Sequence, residues 1–355
     1  MIISFFDKDF KGLQNNASLV VDNKSYSLIK RGVELDELKC TCEPFTENIQ
    51  PTFLIVRNDR GRYVYGSLAG IPELTNERKT NVVGTDLKSM LKSDVILEFG
   101  SQTTVKDMFE DVFSEWNTQV NQGGFDCELE FKPYTNEQGT IVAADIPLTD
   151  LKHQENGKYD AWSDIFSPYL KYYGLYMTSR IDLINKKVIF TIGKSMLNDL
   201  NIKLWEQGIY DYGKKIADVN ECQGYVLLKG ANEVYTAGYK WILTSENEIT
   251  TNASRRDIFP VKRRLIIKET EDGTKVSELL NEANREALEL LCESLYKENI
   301  TLSSVNGDFE TKFNIYVKRG GGLYKSLPCG ELHYDTSGLK QLQIGYRFTG
   351  LQFLL

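Results

Sequence analysis

The first 99 residues alternate short apolar runs with turn signals at about ten-residue spacing, and few folds accommodate such a pattern. The runs are rich in β-branched and aromatic residues, as in "SLVVD", "SYSLIK", "LKCTCE", "TFLIVRN" and "RYVYGSLAGI", and "NDRGR" is a hairpin turn signal. A strand "TNVVGTD", one short helix "DLKSMLK" and a last strand "DVILEF" complete the series. Strands this short and numerous predict a small β-barrel or sandwich, and we expect it to form a first domain, 1–99.

Helical periodicity follows in the middle of the chain. In "TVKDMFEDVFSEW" the apolar residues fall at i, i+3, i+4, i+7, i+8 and i+11, with Thr104 as the N-cap and Asp107 three residues later. The same spacing returns between Trp162 and Tyr173. Each predicted helix precedes a predicted strand pair, first "FDCELEFKP" with "GTIVAADIP" and then "GLYMTSRID" with "KKVIFTIG", joined by the turn "LINK". The segment 100–195 is therefore predicted to be an α+β insert.

The remaining segment, 196–355, returns to strand-like runs such as "CQGYVLLKGAN", "VYTAGYKWILT", "FNIYVKRG" and "LQIGYRFTGLQFLL". An apolar stripe that includes Val276, Ala283 and Ala287 predicts one long helix, which we place at 275–298. The predicted fold is therefore mainly β with an α+β insert: two β-barrel-like domains flank a helix-hairpin module.

The distribution of charge supports a boundary near residue 100. Between residues 101 and 165 there are thirteen Asp or Glu and four Lys, a net charge of −9, whereas the whole chain carries −8. A negative chain is unsuited to nucleic acid or an anionic membrane as its main partner. No apolar run is long enough for a transmembrane helix, and we see no signal peptide. The six scattered cysteines are typical of reduced cytosolic thiols.

No motif predicts a catalytic residue, a cofactor site or a metal site. The chain has two histidines, His153 and His333, and neither accompanies an activated-nucleophile motif. "CTC" places Cys40 and Cys42 on one face of a strand, but no second ligand pair completes a zinc site. "RGGGLYKS" lacks the ending and the following helix of a phosphate-binding loop, so it predicts a hairpin tip.

The aromatic-rich segment 159–176 has two interpretations. A carbohydrate-binding or carbohydrate-active protein would expose Trp162, Tyr169 and Tyr173 as a stacking platform, and the numerous carboxylates leave glycoside hydrolysis open. The helical stripe predicts instead that these rings face a core, with Tyr172 near the surface and Pro168 bending the helix.

The segment "SRRDIFPVKRR", Ser254–Arg264, has the most concentrated positive charge, +4. It is either a solvated edge of a strand and loop or a surface for salt bridges between subunits, facing an acidic neighbour such as the insert of another copy. The candidate assembly-interface residues are Arg255, Arg256, Lys262, Arg263 and Arg264.

Four stretches, taken in their order along the chain, resemble the tail-hub family of long-tailed siphophages, which is related to the baseplate hubs of contractile phages and to the N-terminal part of tail-associated lysins. They are "YVYGSLAGI…TNVVGTDLKSMLKSDVIL", "DAWSDIFSPYLKYYGLYMTSRIDLINKKVIFTIGK", "NASRRDIFPVKRRL" and the helix from Val276. Asp86-Leu87 and Met90-Leu91 match the short helix of the family, and Tyr173–Tyr176 with Asn185–Lys187 match its hairpin. Arg255–Asp257 matches an Arg-Arg-Glu strand, with Asp in place of Glu.

The resemblance implies a structural protein of the virion tail tip that is assembled in the host cytoplasm. It would be a homotrimer whose two β-barrel-like domains per chain form a pseudo-sixfold ring between the sixfold tail tube and the threefold tip. Its implied partners are the distal tail or tail-tube ring, tip fibres or receptor-binding proteins, and the tape-measure protein, which passes through the ring with DNA. Because the sequence stops at Leu355 without an extension, we expect no lysin activity. An effector-loading component of a tail-derived injection system stays open as an alternative.

Overall fold

The computed structural model describes the following residues: 1–14, 17–100, 102–136, 139–141, 156–172, 175–194, 201–202, 209–214, 219–230, 233–245, 249–293, 298–302, 314–318 and 324–344. The α-helices are α1 Val105–Trp116, α2 Ser167–Tyr172 and α3 Val276–Glu293. Single turns of 3-10 helix lie at Leu87–Leu91, Ala253–Arg255 and Gly273–Lys275, and π-helical turns lie at Asn117–Asn121 and Ala161–Phe166.

Twenty-five strands are assigned within these residues. The first nine are β1 Ile2–Phe6, β2 Leu19–Val20, β3 Ser27–Arg31, β4 Glu37–Cys42, β5 Phe53–Arg57, β6 Tyr63–Ala69, β7 Glu73–Leu74, β8 Thr80–Thr85 and β9 Asp94–Leu97. The next six are β10 Asp126–Phe131, β11 Tyr134–Asn136, β12 Gly139–Ile141, β13 Gly157–Asp160, β14 Leu175–Asp182 and β15 Lys187–Lys194. The last ten are β16 Asn201–Ile202, β17 Ile209–Lys214, β18 Glu221–Leu228, β19 Val234–Leu243, β20 Ile249–Thr250, β21 Arg263–Thr270, β22 Glu298–Leu302, β23 Asn314–Lys318, β24 Tyr324–Asp335 and β25 Gly338–Ile344.

The largest sheet combines strands from both ends of the chain, in the order β17-β22-β25-β24-β3-β4-β8-β6-β5-β1-β2. The antiparallel pairing of β3 with β24 joins the two halves and brings Arg31 opposite Glu331. The predicted mainly β fold with a helix-containing insert is confirmed. Among the described strands, however, the pairings run as an open series and close no barrel.

An ion pair reinforces the junction between β3 and β24. The Arg31 guanidinium Nε lies 2.9 Å from Glu331 Oε1, and His333 Nε2 lies 3.0 Å from the other carboxylate oxygen. The hydrogen bonds with His333 and Arg31 favour the ionised carboxylate and hold the pKa of Glu331 at about 2. The junction between the two ends of the chain is therefore electrostatic as well as hydrogen-bonded.

The insert has its own sheet, in the order β10-β15-β14. β14 and β15 form the predicted hairpin with the "LINK" turn, in register from Leu175↔Lys194 to Asp182↔Lys187. The predicted pairing of "FDCELEFKP" with "GTIVAADIP" is wrong where it is described, because β10 pairs in parallel with β15 while β12 pairs with β11. β9 also pairs with β13, so strands from the predicted first domain and the insert meet.

Both predicted helices of the insert lie where the spacing places them. Thr104 and Asp107 form a reciprocal capping box at the start of α1, and every member of its apolar stripe is buried. The second helix begins at Asp160, which accepts a hydrogen bond from the Ser163 amide, but its first turn is π-helical. Pro168 accounts for the wide turn, because it has no amide to donate and its ring displaces the carbonyl one turn earlier.

The aromatic stripe of this second helix faces the core. Trp162 and Tyr169 are each 3% exposed, and Phe166 stacks on Phe109 of α1 with ring centroids 5.0 Å apart. The carbohydrate interpretation predicted that Trp162 and Tyr169 are exposed, and for these two residues that prediction is wrong. Tyr173 and the side chain of Tyr172 lie outside the described residues.

A separate sheet, in the order β20-β19-β18-β21, carries α3 on one face. The helix approaches β18 so closely that a Cβ on Gly224 would lie 2.6 Å from the Ala283 carbonyl carbon, and hence only glycine fits there. The helix ends at Glu293 in the described residues and Glu298 begins β22, so the predicted end at 298 is corrected. In the part of the chain that the structure describes, no helix is long and apolar enough to cross a membrane.

Candidate functional site

The five basic residues predicted as an assembly interface lie at one end of the β20-β19-β18-β21 sheet. Arg255 ends the 3-10 turn that follows β20, and Arg256 is its C-cap residue. Lys262 immediately precedes β21, and Arg263 and Arg264 are the first two residues of that strand. We call the whole segment Ser254–Arg264 the basic tip.

Two of the five side chains are committed to an internal carboxylate. Glu221 of β18 has a side chain only 4% exposed, and the Arg256 guanidinium contacts its Oε2 atom. Arg263 Nε lies 3.3 Å from Glu221 Oε1, and Lys240 Nζ lies 3.8 Å from it. Burying an ionised carboxylate without such partners costs free energy. The contacts of Arg256 and Arg263 with Glu221 therefore stabilise the sheet within the chain. Of the predicted set, Arg256 is half-buried, whereas Arg255, Lys262, Arg263 and Arg264 are exposed.

Hydrogen bonds anchor the basic tip to Asn220 and Ser245, which lie outside it. The amide of Lys262 donates to Asn220 Oδ1 at 2.8 Å, and Asn220 Nδ2 donates to the Pro260 carbonyl at 3.0 Å. Asp257 accepts from the amide and the hydroxyl of Ser245, at 2.8 and 2.6 Å. These hydrogen bonds favour the ionised carboxylate and lower the pKa of Asp257.

The exposed side chains at the centre of the basic tip are apolar. Phe259 is 73% exposed and Val261 is 38% exposed, and they lie in sequence between the exposed cations Arg255 and Lys262. Aromatic and arginine side chains are enriched at the centres of protein interfaces. The sequence drew attention to the charge of this segment, but the exposure of Phe259 is visible only in the structure.

The structure also contains a buried ionic cluster that the sequence did not predict. Lys88 is 1% exposed, and its Nζ lies 3.1 Å from Asp86 Oδ2 and 3.7 Å from Asp36 Oδ1. The Lys88 ammonium also donates to the backbone carbonyls of Arg31, at the end of β3, and of Glu34, at 3.1 and 2.6 Å. The insert contributes Ser179, whose hydroxyl donates to Asp86 at 3.2 Å, and the ring of Trp162, 5.9 Å from the ammonium. The cluster therefore connects the N-terminal strands to the insert.

The charges of this cluster are perturbed by burial. Burial raises the pKa of Asp36 to about 6, because the attraction of Lys88 only partly offsets the loss of hydration. Burial lowers the pKa of Lys88, but Asp36 and Asp86 outweigh it, so the pKa lies above its ordinary value. Every polar atom used here has an internal partner, which indicates a structural tie between elements rather than a catalytic centre.

The remaining candidates for chemistry show ordinary surroundings. Cys40 and Cys42 share the buried face of β4, as predicted, and burial raises the pKa of each thiol to about 12. His333 bonds to Glu331, while His153 lies outside the described residues. Over the described residues, no three His, Cys, Asp or Glu side chains are grouped to hold a metal ion. Of the stretch "RGGGLYKS", Tyr324–Ser326 begin β24, which pairs with β23 so that Lys318 lies opposite Tyr324, while residues 319–323 lie outside the described residues.

Comparisons with known proteins find similarity in structure alone. No protein-family model matches the chain, and no curated protein matches its sequence. The chain is similar to prophage tail protein gp18 from Listeria monocytogenes EGD-e, with a TM-score of 0.50 and 10% identity over 100% of this chain and 97% of that one. It is also similar to the 43 kDa tail protein of prophage MuSo2 from Shewanella oneidensis, with a TM-score of 0.53 and 11% identity over 98% and 99% of the two chains. The resemblance to phage tail proteins is thus confirmed at the level of the fold, which this chain shares over its whole length with two prophage tail proteins.

Proposed function

We propose that this chain is a structural component of a phage tail tip, the baseplate hub. In this role it forms a trimeric ring that adapts the sixfold tail tube to the threefold tip, and the tape-measure protein and DNA pass through its lumen. The observation that carries the proposal is the fold, because the similarity to two prophage tail proteins extends over nearly the full length of each chain. A shared fold alone does not specify function, so the proposal also depends on the order of motifs along the sequence.

The proposed partners follow from that position in the virion. The ring contacts the tail-tube or distal tail protein on one side and tip fibres or receptor-binding proteins on the other. The proposed role is structural and not enzymatic: the sequence has no motif for catalysis by either histidine, and among the described residues His333 bonds to Glu331 and the thiols of Cys40 and Cys42 are buried. The burial of Trp162 and Tyr169 favours this role over sugar binding by the segment 159–176.

Electron microscopy of assembled tails tests the proposal. The full-length chain is mixed with the tail-tube protein of the same particle, and the products are compared with those of each protein alone. We expect a ring with threefold symmetry at one end of the tube. A protein that stays a monodisperse monomer at micromolar concentration and forms no ring beside tubes contradicts the proposal.

A direct assay addresses the carbohydrate alternative. Glycan-array binding by the folded wild-type chain that disappears in Trp162→Ala would favour it, provided that the variant keeps its fold. Because Trp162 is buried, we expect no glycan binding by the wild type and a loss of stability in the variant.

A further inference from the structure

The basic tip has the features of a preorganised binding loop. Asn220, Ser245 and Glu221 lie outside the segment and fix its backbone or its arginines. The segment therefore loses little conformational freedom on binding, which is the main way in which rigid loops gain affinity. Phe259 and Val261 nevertheless remain in water, where exposed aromatic surface has no stabilising role in the monomer.

A second surface of the same chain has the complementary character. Ile96 of β9 is 65% exposed, and Asp94, two residues earlier, lies on the same exposed face of the strand. Glu98, which immediately follows β9, is also exposed. Gln119 bonds to both backbone groups of Ile96, at 2.8 and 3.0 Å, and Val120 beside it is 37% exposed. We call these residues, with Glu115, the acidic patch: Asp94, Ile96, Glu98, Glu115 and Val120.

The acidic patch is also held in place by internal bonds. Gln119 Nε2 donates to Glu115 Oε2 at 2.7 Å, so one amide side chain anchors the strand and orients a carboxylate. Asp94 has one exposed partner, Lys158, at 2.7 Å. With that lysine included, the three carboxylates leave the patch with a net charge of −2. The basic tip carries five basic residues against Asp257, and with Glu221, which Arg256 and Arg263 contact, its net charge is +3.

We propose that the basic tip of one copy docks on the acidic patch of a second copy, with Phe259 against Ile96 and Val120. The inference rests on the proposed function, because a ring needs contacts between copies. It deepens that function by naming both sides of the contact. Charge complementarity selects this occupant. The apolar side chains of the basic tip lie among positive charges, and those of the acidic patch lie among negative charges. The two surfaces are different, so the contact is head-to-tail and closes into a ring when the rotation between copies allows it.

Sedimentation of the full-length chain over a range of concentrations measures the contact. Phe259→Ser should weaken self-association at least ~30-fold, the loss of a central aromatic anchor. Ile184→Ser is the matched control, because Ile184 is 92% exposed in the "LINK" turn and lies on neither surface. It should leave association unchanged. A wild type that does not associate at up to about 100 µM overturns the inference, and so does a Phe259→Ser variant that associates as well as the wild type.

Charge reversal tests the identity of the partner surface. One variant carries Lys262→Glu and Arg264→Glu on the basic tip, and a second carries Asp94→Lys and Glu98→Lys on the acidic patch. Each alone should be monomeric, because like charges then face each other. Their equimolar mixture should regain association, because both kinds of contact between the two variants again join opposite charges. If both variants are folded, as judged by circular dichroism, and the mixture stays monomeric, the inference is wrong.

The outcomes separate this inference from the proposed function. If the wild type forms rings on tail tubes and the Phe259→Ser variant still forms them, the proposed contact is wrong and the hub function is unaffected. Association through the basic tip without any ring on tail tubes would overturn the hub function and support the contact.

Discussion

Replacing Lys88 by Met tests whether the buried ionic cluster holds the N-terminal strands to the insert. Methionine replaces all of the side chain except the terminal nitrogen and removes the charge, so Asp86, which is 0% exposed, loses its cation. At the observed separations of 3.1 and 3.7 Å, with an effective dielectric constant of about 20, the two attractions amount to about 5 and about 4 kcal/mol. Much of this sum only offsets the cost of dehydrating three charges. We therefore expect the measured loss of unfolding free energy to be about 3–5 kcal/mol, the cost of breaking a buried pair.

Urea denaturation at pH 7.5, monitored by tryptophan fluorescence, measures the loss, since Trp162 lies beside the cluster. Lys92→Met is the matched control: it removes the same charge from the exposed end of the same 3-10 turn and should cost less than about 0.5 kcal/mol. A Lys88→Met variant no less stable than Lys92→Met would refute the reasoning. It would mean that Asp86 and Asp36 are not held as buried anions by this lysine.

The same cluster predicts a dependence of stability on pH. The folded state holds the pKa of Asp36 at about 6, above its ordinary 3.8, so between these values the folded chain binds a proton that the unfolded chain has lost. This contribution is fully present below about pH 4 and is lost as the pH rises through about 6. Asp36→Asn should remove this pH dependence, seen as urea midpoints that no longer fall across the window.

Three further predictions concern single side chains elsewhere. Glu331→Gln should flatten the acid side of the stability profile, because the depressed pKa of Glu331 gives stability above pH 4.5 that is lost as the pH falls toward about 2; urea midpoints against pH measure it. Thr104→Ala should cost about 1 kcal/mol in urea denaturation and Thr104→Ser much less, since serine keeps the capping oxygen of α1. Gly224→Ala should cost about 1–3 kcal/mol, whereas Gly230→Ala, with no atom near its Cβ position, should cost less; equal midpoints would contradict the close approach of α3.

Short-range sequence patterns determined where the helices and the hairpin of the insert lie. The helical spacing from Val105 to Trp116, the capping pair before it and the hairpin around "LINK" all lie where the sequence predicts them. Such features depend on residues a few positions apart, so the periodicity of the sequence is enough to predict them. Even the departure from α-geometry before Pro168 has a local cause.

The partners of the strands were not predictable in the same way. The sequence suggested that β10 would pair with the next strand along the chain, whereas it pairs in parallel with β15. It also placed the two ends of the chain in separate barrel-like domains, and did not predict that β3 pairs with β24. A strand shows which of its faces is apolar, but its neighbour is chosen by the packing of the whole sheet.

The same distinction applies to the candidate interface. The sequence by itself determined that Ser254–Arg264 is strongly basic and that residues 101–165 are strongly acidic. Only the tertiary structure decided that Arg256 and Arg263 are bound to Glu221, that Lys88 is buried between two aspartates, and that Phe259 is exposed. The physical reason is that the energy of a charge or a ring depends on the dielectric and the atoms around it, and distant parts of the chain supply those atoms.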